Sequence, residues 1–501
     1  MVSRLSGRNA VSLHTESLTT PAHAVAVIII EASDQVSHQR LHRLVGSSLP
    51  QMARFRSRLV GKPLGLGQPV WAEIDDYDPT PQIHSTAVPA PNGRQEFADL
   101  IARLTTGPLD RRKPLWEAWS VEGLEGGRWA LALKMSPVLS DGIAGVASVW
   151  PRLLTIDPQD DPTNLMRAEP SLGKPPSNGD LVADTMQELL ENQVRGVWLI
   201  ARSVPDVLRA AGRRLRGTGE PGQLPHKASS PSAPIPRTVF NAPLTQRRAV
   251  AFASIPLAQL KTVNHAFGGS ITNVLLAACT LSLRSWLQRH DTVPDYPLVL
   301  QMPLLLPDPD CSTVDTPVIF GRIRLPVQLG DPVEVLTDLH AATDRLNTAR
   351  SSNTETTGLT VDFSTIAALI PPTVVHAGMQ LYTGLGLWQR FPPICHGIVS
   401  YIPGPPAAGY CTGAGVVGMH TVAPLVGGCG LSIAVIPHGG VMDLSVCVCP
   451  NNVPAVNDIA TGIVESVGIL LAAAQQSPRG QGRSVLTQIT SHAKKPAQAR
   501  R

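Results

Sequence analysis

The sequence predicts two αβ halves of similar size joined by a helical, Pro-rich connector. Three observations point to it. Strand-like and helix-like apolar runs alternate along both halves. Between them, residues 181–240 turn basic and then rich in proline. The composition is that of a core-forming chain, with 43% hydrophobic and 16% charged residues, against about 25% charged in a typical domain.

In the first half, Ala24 to Ile30 (AVAVIII) is rich in β-branched residues and reads as a buried strand. A helix-like segment follows through Leu49, and Phe97 to Leu104 has helical apolar spacing. Trp129 to Met135 alternates as a strand does and breaks at Pro137. The Asp141-Gly142 turn follows, and Ile143 to Leu154 resumes as a helix. Residues 155–180, rich in Pro, Asp and Ser, read as a linker.

The second half opens at Asn241. Arg248 to Ile255 reads as a strand, and Leu257 to Phe267 as a helix stopped by Gly268-Gly269. Ile271 to His290 is a long apolar helix, with strands expected near 298–302, 320–327, 396–402, 431–437 and 442–449. The organisation is therefore a first domain over 1–180, a connector over 181–240, a second domain over 241–476 and a basic, disordered tail over 477–501.

Several function classes are disfavoured. A net charge of +4 argues against a dedicated nucleic-acid binder, which gathers Lys and Arg on one face. The seven cysteines (279, 311, 395, 411, 429, 447, 449) are odd in number and contain no CxxC pair. That argues against a disulfide scaffold or a metal ribbon and for buried, reduced thiols in a cytoplasmic protein. No apolar h-region follows Arg4 and Arg8, so no secretory signal is expected. The apolar stretch Ile459 to Ala474 carries Glu465 and falls short of the ~20 residues of a membrane span. The connector at 192–216 intersperses Val197, Trp198, Val204 and Leu208 with six arginines. It reads either as a helix lying in a membrane interface or as one packed on the domains under its arginine stems.

Three passages carry the chemistry. The first runs from Pro114-Leu115-Trp116-Glu117 through Lys134 to Ser136-Pro137-Val138-Leu139-Ser140-Asp141-Gly142. The second is Phe240-Asn241-Ala242-Pro243-Leu244 with Thr272-Asn273-Val274. The third is Ser400-Tyr401-Ile402-Pro403-Gly404-Pro405 with Pro424-Leu425-Val426. In this order and at these separations the chain resembles the bacterial wax ester synthase/diacylglycerol acyltransferase family from about Leu5 to Ala474. The resemblance implies an α+β fold of two chloramphenicol-acetyltransferase-like (condensation-domain-like) sandwich domains with a tunnel between them. It implies transfer of a fatty acyl group from acyl-coenzyme A, as substrate and with no cofactor, to diacylglycerol or a long-chain alcohol. It also implies a cytoplasmic enzyme, at the inner membrane or a lipid-droplet surface.

Family members carry HHxxxDG, whose second His is the general base. Here Ser136 and Pro137 occupy the two His positions, while Asp141 and Gly142 remain as the structural part of the motif. Proline has no titratable group, and a serine hydroxyl is no base near neutral pH. Losing a general base costs about 10²–10⁴ in rate, so the sequence predicts weak or altered turnover. The alternative is a catalytically silent paralogue that binds acyl chains or a partner. Asp141 reads as a loop anchor, since a carboxylate is a weak base. Asn273, Ser400, Pro403, Gly404 and His420 match positions that approach the tunnel. Asn273 reads equally as a helix cap, and His420 and His23 as packed histidines.

Overall fold

The computed structural model describes residues 3–5, 9–10, 12–13, 16–139, 143–165, 167–173, 175–192, 235–305, 318–351, 372–384, 390–405 and 409–476. Residues 193–234 of the connector, the tail, and Asp141 and Gly142 lie outside them.

Two six-stranded sheets organise the described chain. Strand β1 (Ala24–Ile30) coincides with its sequence-predicted bounds, because a run this rich in β-branched residues favours a strand. It lies antiparallel to β6 (Arg128–Met135), which pairs on its other side with β5 (Trp116–Leu124). Short β4 (Ile83–Ala87) closes that edge, and β2 (Ser57–Val60) with β3 (Val70–Glu73) forms a separate ribbon. The second sheet runs β7 (Ala249–Pro256), β14 (Val441–Val448), β13 (Leu431–His438), β10 (Gly397–Tyr401), β8 (Leu298–Leu305), β9 (Val318–Leu325).

One crossing joins the halves. After β10 the chain leaves the second sheet and adds β11 (Tyr410–Cys411) and β12 (Ala414–Val422) to the first, with β12 antiparallel to β1. It then returns as β13. The 241–476 stretch thus completes both sheets.

Three buried clusters follow from this layering. One fills the space between the second sheet and the helices Leu257–Phe267, Ile271–His290 and Val456–Gln476. Another lies under the helices His38–Ser48 and Ile143–Leu153 on the outer face of the first sheet. The third packs Val25, Val27, Ala130 and Ala132 of the first sheet against Val250, Cys447 and Cys449 of the second. The terminal helix exceeds its expected length. With 21 residues and a hydropathy of 1.5 in its most apolar window, it is long and apolar enough to cross a membrane. Its apolar stripe instead packs on the Ile271–His290 helix, where Ser282 Oγ donates to the Ile459 carbonyl at 2.7 Å.

Candidate functional site

The motif loop leaves β6 at its C-terminal end. The Ser136 N–H still bonds to the Leu115 carbonyl at 2.9 Å, so the strand ladder holds the residue in place. Pro137 then opens a single tight turn, Pro137–Leu139, whose Val138 and Leu139 are buried. Pro at the first position of such a turn needs no N–H donor. Ser136 itself is 3% exposed, and its Oγ has no hydrogen-bond partner among the described residues.

The neighbouring strand brings up an imidazole. Ala24 of β1 lies opposite Met135 of β6, so one residue further His23 comes alongside Ser136. His23 is 2% exposed, and its Nε2 lies 3.1 Å from the Thr105 carbonyl oxygen. A carbonyl only accepts, so Nε2 carries the proton and Nδ1 keeps its lone pair. That Nδ1 is buried and unpartnered among the described residues. Burial, with help from the Lys134 and Arg248 charges, pushes the His23 pKa down to about 3. Lys134 is itself buried, donates to the Gly107 carbonyl at 2.5 Å, and is lowered by its own desolvation.

A second polar cluster sits on the same inter-sheet face. His420 of β12 pairs with Val27 of β1, four residues and so about 13 Å along the strand from His23. Its ring packs 4.6 Å from that of Phe252, and burial lowers its pKa against the opposing pull of Asp443. Asp443 is 2% exposed. It accepts from Ser254 Oγ at 2.6 Å and the Met419 N–H at 2.8 Å, and His438 Nδ1 lies 3.7 Å away. Despite burial, these donors and the nearby imidazoles hold its pKa below the usual carboxylate range. Sequence reasoning missed Asp443, although a lone charge in the apolar run 441–449 was a readable signal.

The remaining residues from the sequence reading are scattered. Ser400 is buried on β10 opposite Ala434. Gly404 passes so close to β13 that a Cβ would overlap the Pro437 carbonyl oxygen, which explains the glycine; Pro403 precedes it in the chain. Asn273 is 2% exposed in the first turn of its helix, and its Oδ1 accepts from the cap residue Ser270 at 2.9 Å. Ser270 Oγ in return accepts the Asn273 N–H. A hollow of about 410 Å³ lies elsewhere, lined by His42, Pro79, Thr80 and Ile83 at the edge of the first sheet.

Comparison with known proteins agrees with this architecture. The profile of the wax ester synthase/diacylglycerol acyltransferase catalytic domain matches residues 5–275, and that of the WS/DGAT C-terminal domain matches residues 319–470. A Mycobacterium tuberculosis protein bearing the name diacylglycerol O-acyltransferase is 28% identical over 492 residues, covering 95% of this chain and 92% of its own. The structure of a wax ester synthase/diacylglycerol acyltransferase from Marinobacter aquaeolei VT8 superposes with a TM-score of 0.63 at 21% identity. It covers 94% of this chain and 100% of its own. The first condensation domain of the calcium-dependent antibiotic synthetase gives a TM-score of 0.53 at 13% identity, covering 95% and 97%. At these identities the two structures speak for the fold.

Proposed function

Because the chain belongs to the wax ester synthase/diacylglycerol acyltransferase family, we propose that it transfers a fatty acyl group from acyl-coenzyme A to the hydroxyl of diacylglycerol, slowly. One observation carries the proposal beyond the family. His23 Nδ1 and Ser136 Oγ are buried and unpartnered among the described residues, and each residue lies one position beyond the paired ends of two adjacent strands. An imidazole lone pair and a hydroxyl together complement an alcohol O–H, and a buried polar atom gains by finding such a partner. In this reading the acceptor alcohol donates to Nδ1 and accepts from Ser136. Its oxygen attacks the thioester carbonyl carbon, the proton passes to Nδ1, and coenzyme A leaves as the thiolate. A base whose conjugate acid titrates near 3 takes that proton poorly. The family's His positions hold Ser136 and Pro137, so turnover is about 10²–10⁴ below that of a member with its histidines. Long-chain alcohols fit the same chemistry, since apolar channels discriminate weakly between apolar shapes.

The test is purified full-length protein with labelled acyl-coenzyme A and diacylglycerol. Triacylglycerol above a blank supports transfer. Acyl-coenzyme A binding with no product at high enzyme concentration overturns it. That result favours the second reading, a silent paralogue that holds acyl chains or a partner, which Pro137 motivates because it cannot exchange a proton.

We also infer that the protein works in the cytoplasm, against a membrane or lipid-droplet surface. Val182, Met186 and Leu190, spaced four residues apart on the helix over 178–192, are 50%, 60% and 64% exposed. A helix turned this way lays an apolar stripe into an interface. Co-flotation with anionic vesicles, lost in a variant with all three changed to serine, tests it; flotation unchanged by those substitutions contradicts it.

A further inference from the structure

The cysteine pattern offers no CxxC pair, yet the fold brings two thiols together. Cys395 precedes β10 and Cys429 precedes β13, and the two strands run parallel with Ile398 opposite Ser432. Stepping back three residues along both strands sets Cys395 opposite Cys429. Their sulfurs are 3.0 Å apart, and both residues are buried, at 1% and 4% exposure. The site is held from outside. Asn241 Nδ2 donates to the Cys395 carbonyl at 2.9 Å and to the Gly428 carbonyl at 2.6 Å, bracketing both thiols with one amide. The Gly430 N–H bonds to the Phe240 carbonyl, and His396 is fixed by Val299 and Pro236.

We propose that Cys395 and Cys429 form a redox pair that a peroxide converts to a disulfide, stapling the base of the segment that crosses between the sheets. Neighbouring strands lie about 4.8 Å apart, within the Cα separation a disulfide spans. Closing from 3.0 Å to a bond of about 2.05 Å is a torsional adjustment of two side chains. The two sulfurs differ in role. The Cys429 S–H and the Arg322 charge favour the Cys395 thiolate, while Cys429 is held protonated. By contrast, burial pushes the Cys279, Cys411 and Cys447 thiols up to about 12.

The chemistry balances. The Cys395 sulfur attacks one peroxide oxygen, the O–O bond breaks, and the other oxygen leaves as hydroxide. The resulting sulfenic acid is attacked by the Cys429 sulfur. The S–S bond forms, the S–O bond breaks, and water leaves with the Cys429 proton. Two thiols are oxidised by two electrons in total, and one peroxide is reduced to two waters. The bond closes a loop that holds β10, β11 and β12, and so the segment bearing Ser400, Gly404 and His420.

The test is the full-length protein treated with a small excess of hydrogen peroxide, alkylated, digested and mapped without reduction. The expected product joins the Cys395 peptide to the Cys429 peptide with loss of two hydrogens and reverts with dithiothreitol. Its thermal midpoint rises by about 4 °C, a rise absent from Cys429→Ser. That variant accumulates a dimedone-reactive sulfenic acid at Cys395. Full alkylation of both residues after peroxide, linkage to other cysteines, or sulfinic acid at Cys395 in the wild type overturns the proposal. The wild-type map decides even if the variant fails to fold.

Discussion

Replacing His23 by glutamine separates the imidazole's charge chemistry from its packing. The glutamine amide can donate to the Thr105 carbonyl as Nε2 does, and it stays neutral at every pH. The wild-type imidazole titrates near 6.5 in the unfolded chain and near 3 in the fold. Between those values the unfolded state binds the extra proton, so stability rises with pH across that window. The contribution is complete above about pH 7 and is lost as pH falls. From about pH 7.5 to about pH 5 this single group costs the wild type about 2 kcal/mol. His420, also lowered by burial, acts in the same direction in both proteins and cancels from the comparison. Asp443, lowered from the carboxylate range, loses its contribution only below about pH 4. Urea unfolding of both proteins at the two pH values measures the difference. The wild type should lose about 2 kcal/mol more than His23→Gln. Equal losses would refute the buried, neutral assignment and with it the free lone pair at Nδ1.

Two further substitutions test the surrounding frame. Gly404→Ala drives a methyl into the Pro437 carbonyl. It should cost about 3 kcal/mol by urea unfolding, and a neutral result would mean that β10 and β13 are further apart than described. Asp443→Asn removes the buried charge that Ser254 and the Met419 N–H bind. It should cost about 3 kcal/mol at neutral pH, whereas a loss below about 0.5 kcal/mol, the scale of ordinary surface substitutions, would show that the charge is not held there.

Much of the framework could be read from local pattern. The run AVAVIII fixed β1, and Gly268-Gly269, both at φ +82°, ended the Leu257–Phe267 helix where the sequence reading put its stop. The strand β12 was not legible. Gly415 and Gly418 interrupt its alternation, and its place beside β1 is a non-local pairing that no window reveals. The same holds for the site. Ser136 and Pro137 stood out by motif spacing, but that His23 stands level with Ser136 follows only from the antiparallel register of β1 on β6. Likewise, Cys395 and Cys429 meet only through the parallel register of β10 on β13. Asn273 reads as a helix cap, but Ser270 takes that place and Asn273 sits three residues on, inside the first turn, hydrogen-bonded to it.

The most direct test of a missing proton acceptor is the single-turnover rate of acyl transfer in the Ser136→His, Pro137→His double variant relative to the native chain. The account predicts measurable but slow native transfer and a gain of about 10²–10⁴ in the variant. A native rate equal to that of the folded variant would contradict it, for it would mean that an effective base already serves the acceptor hydroxyl.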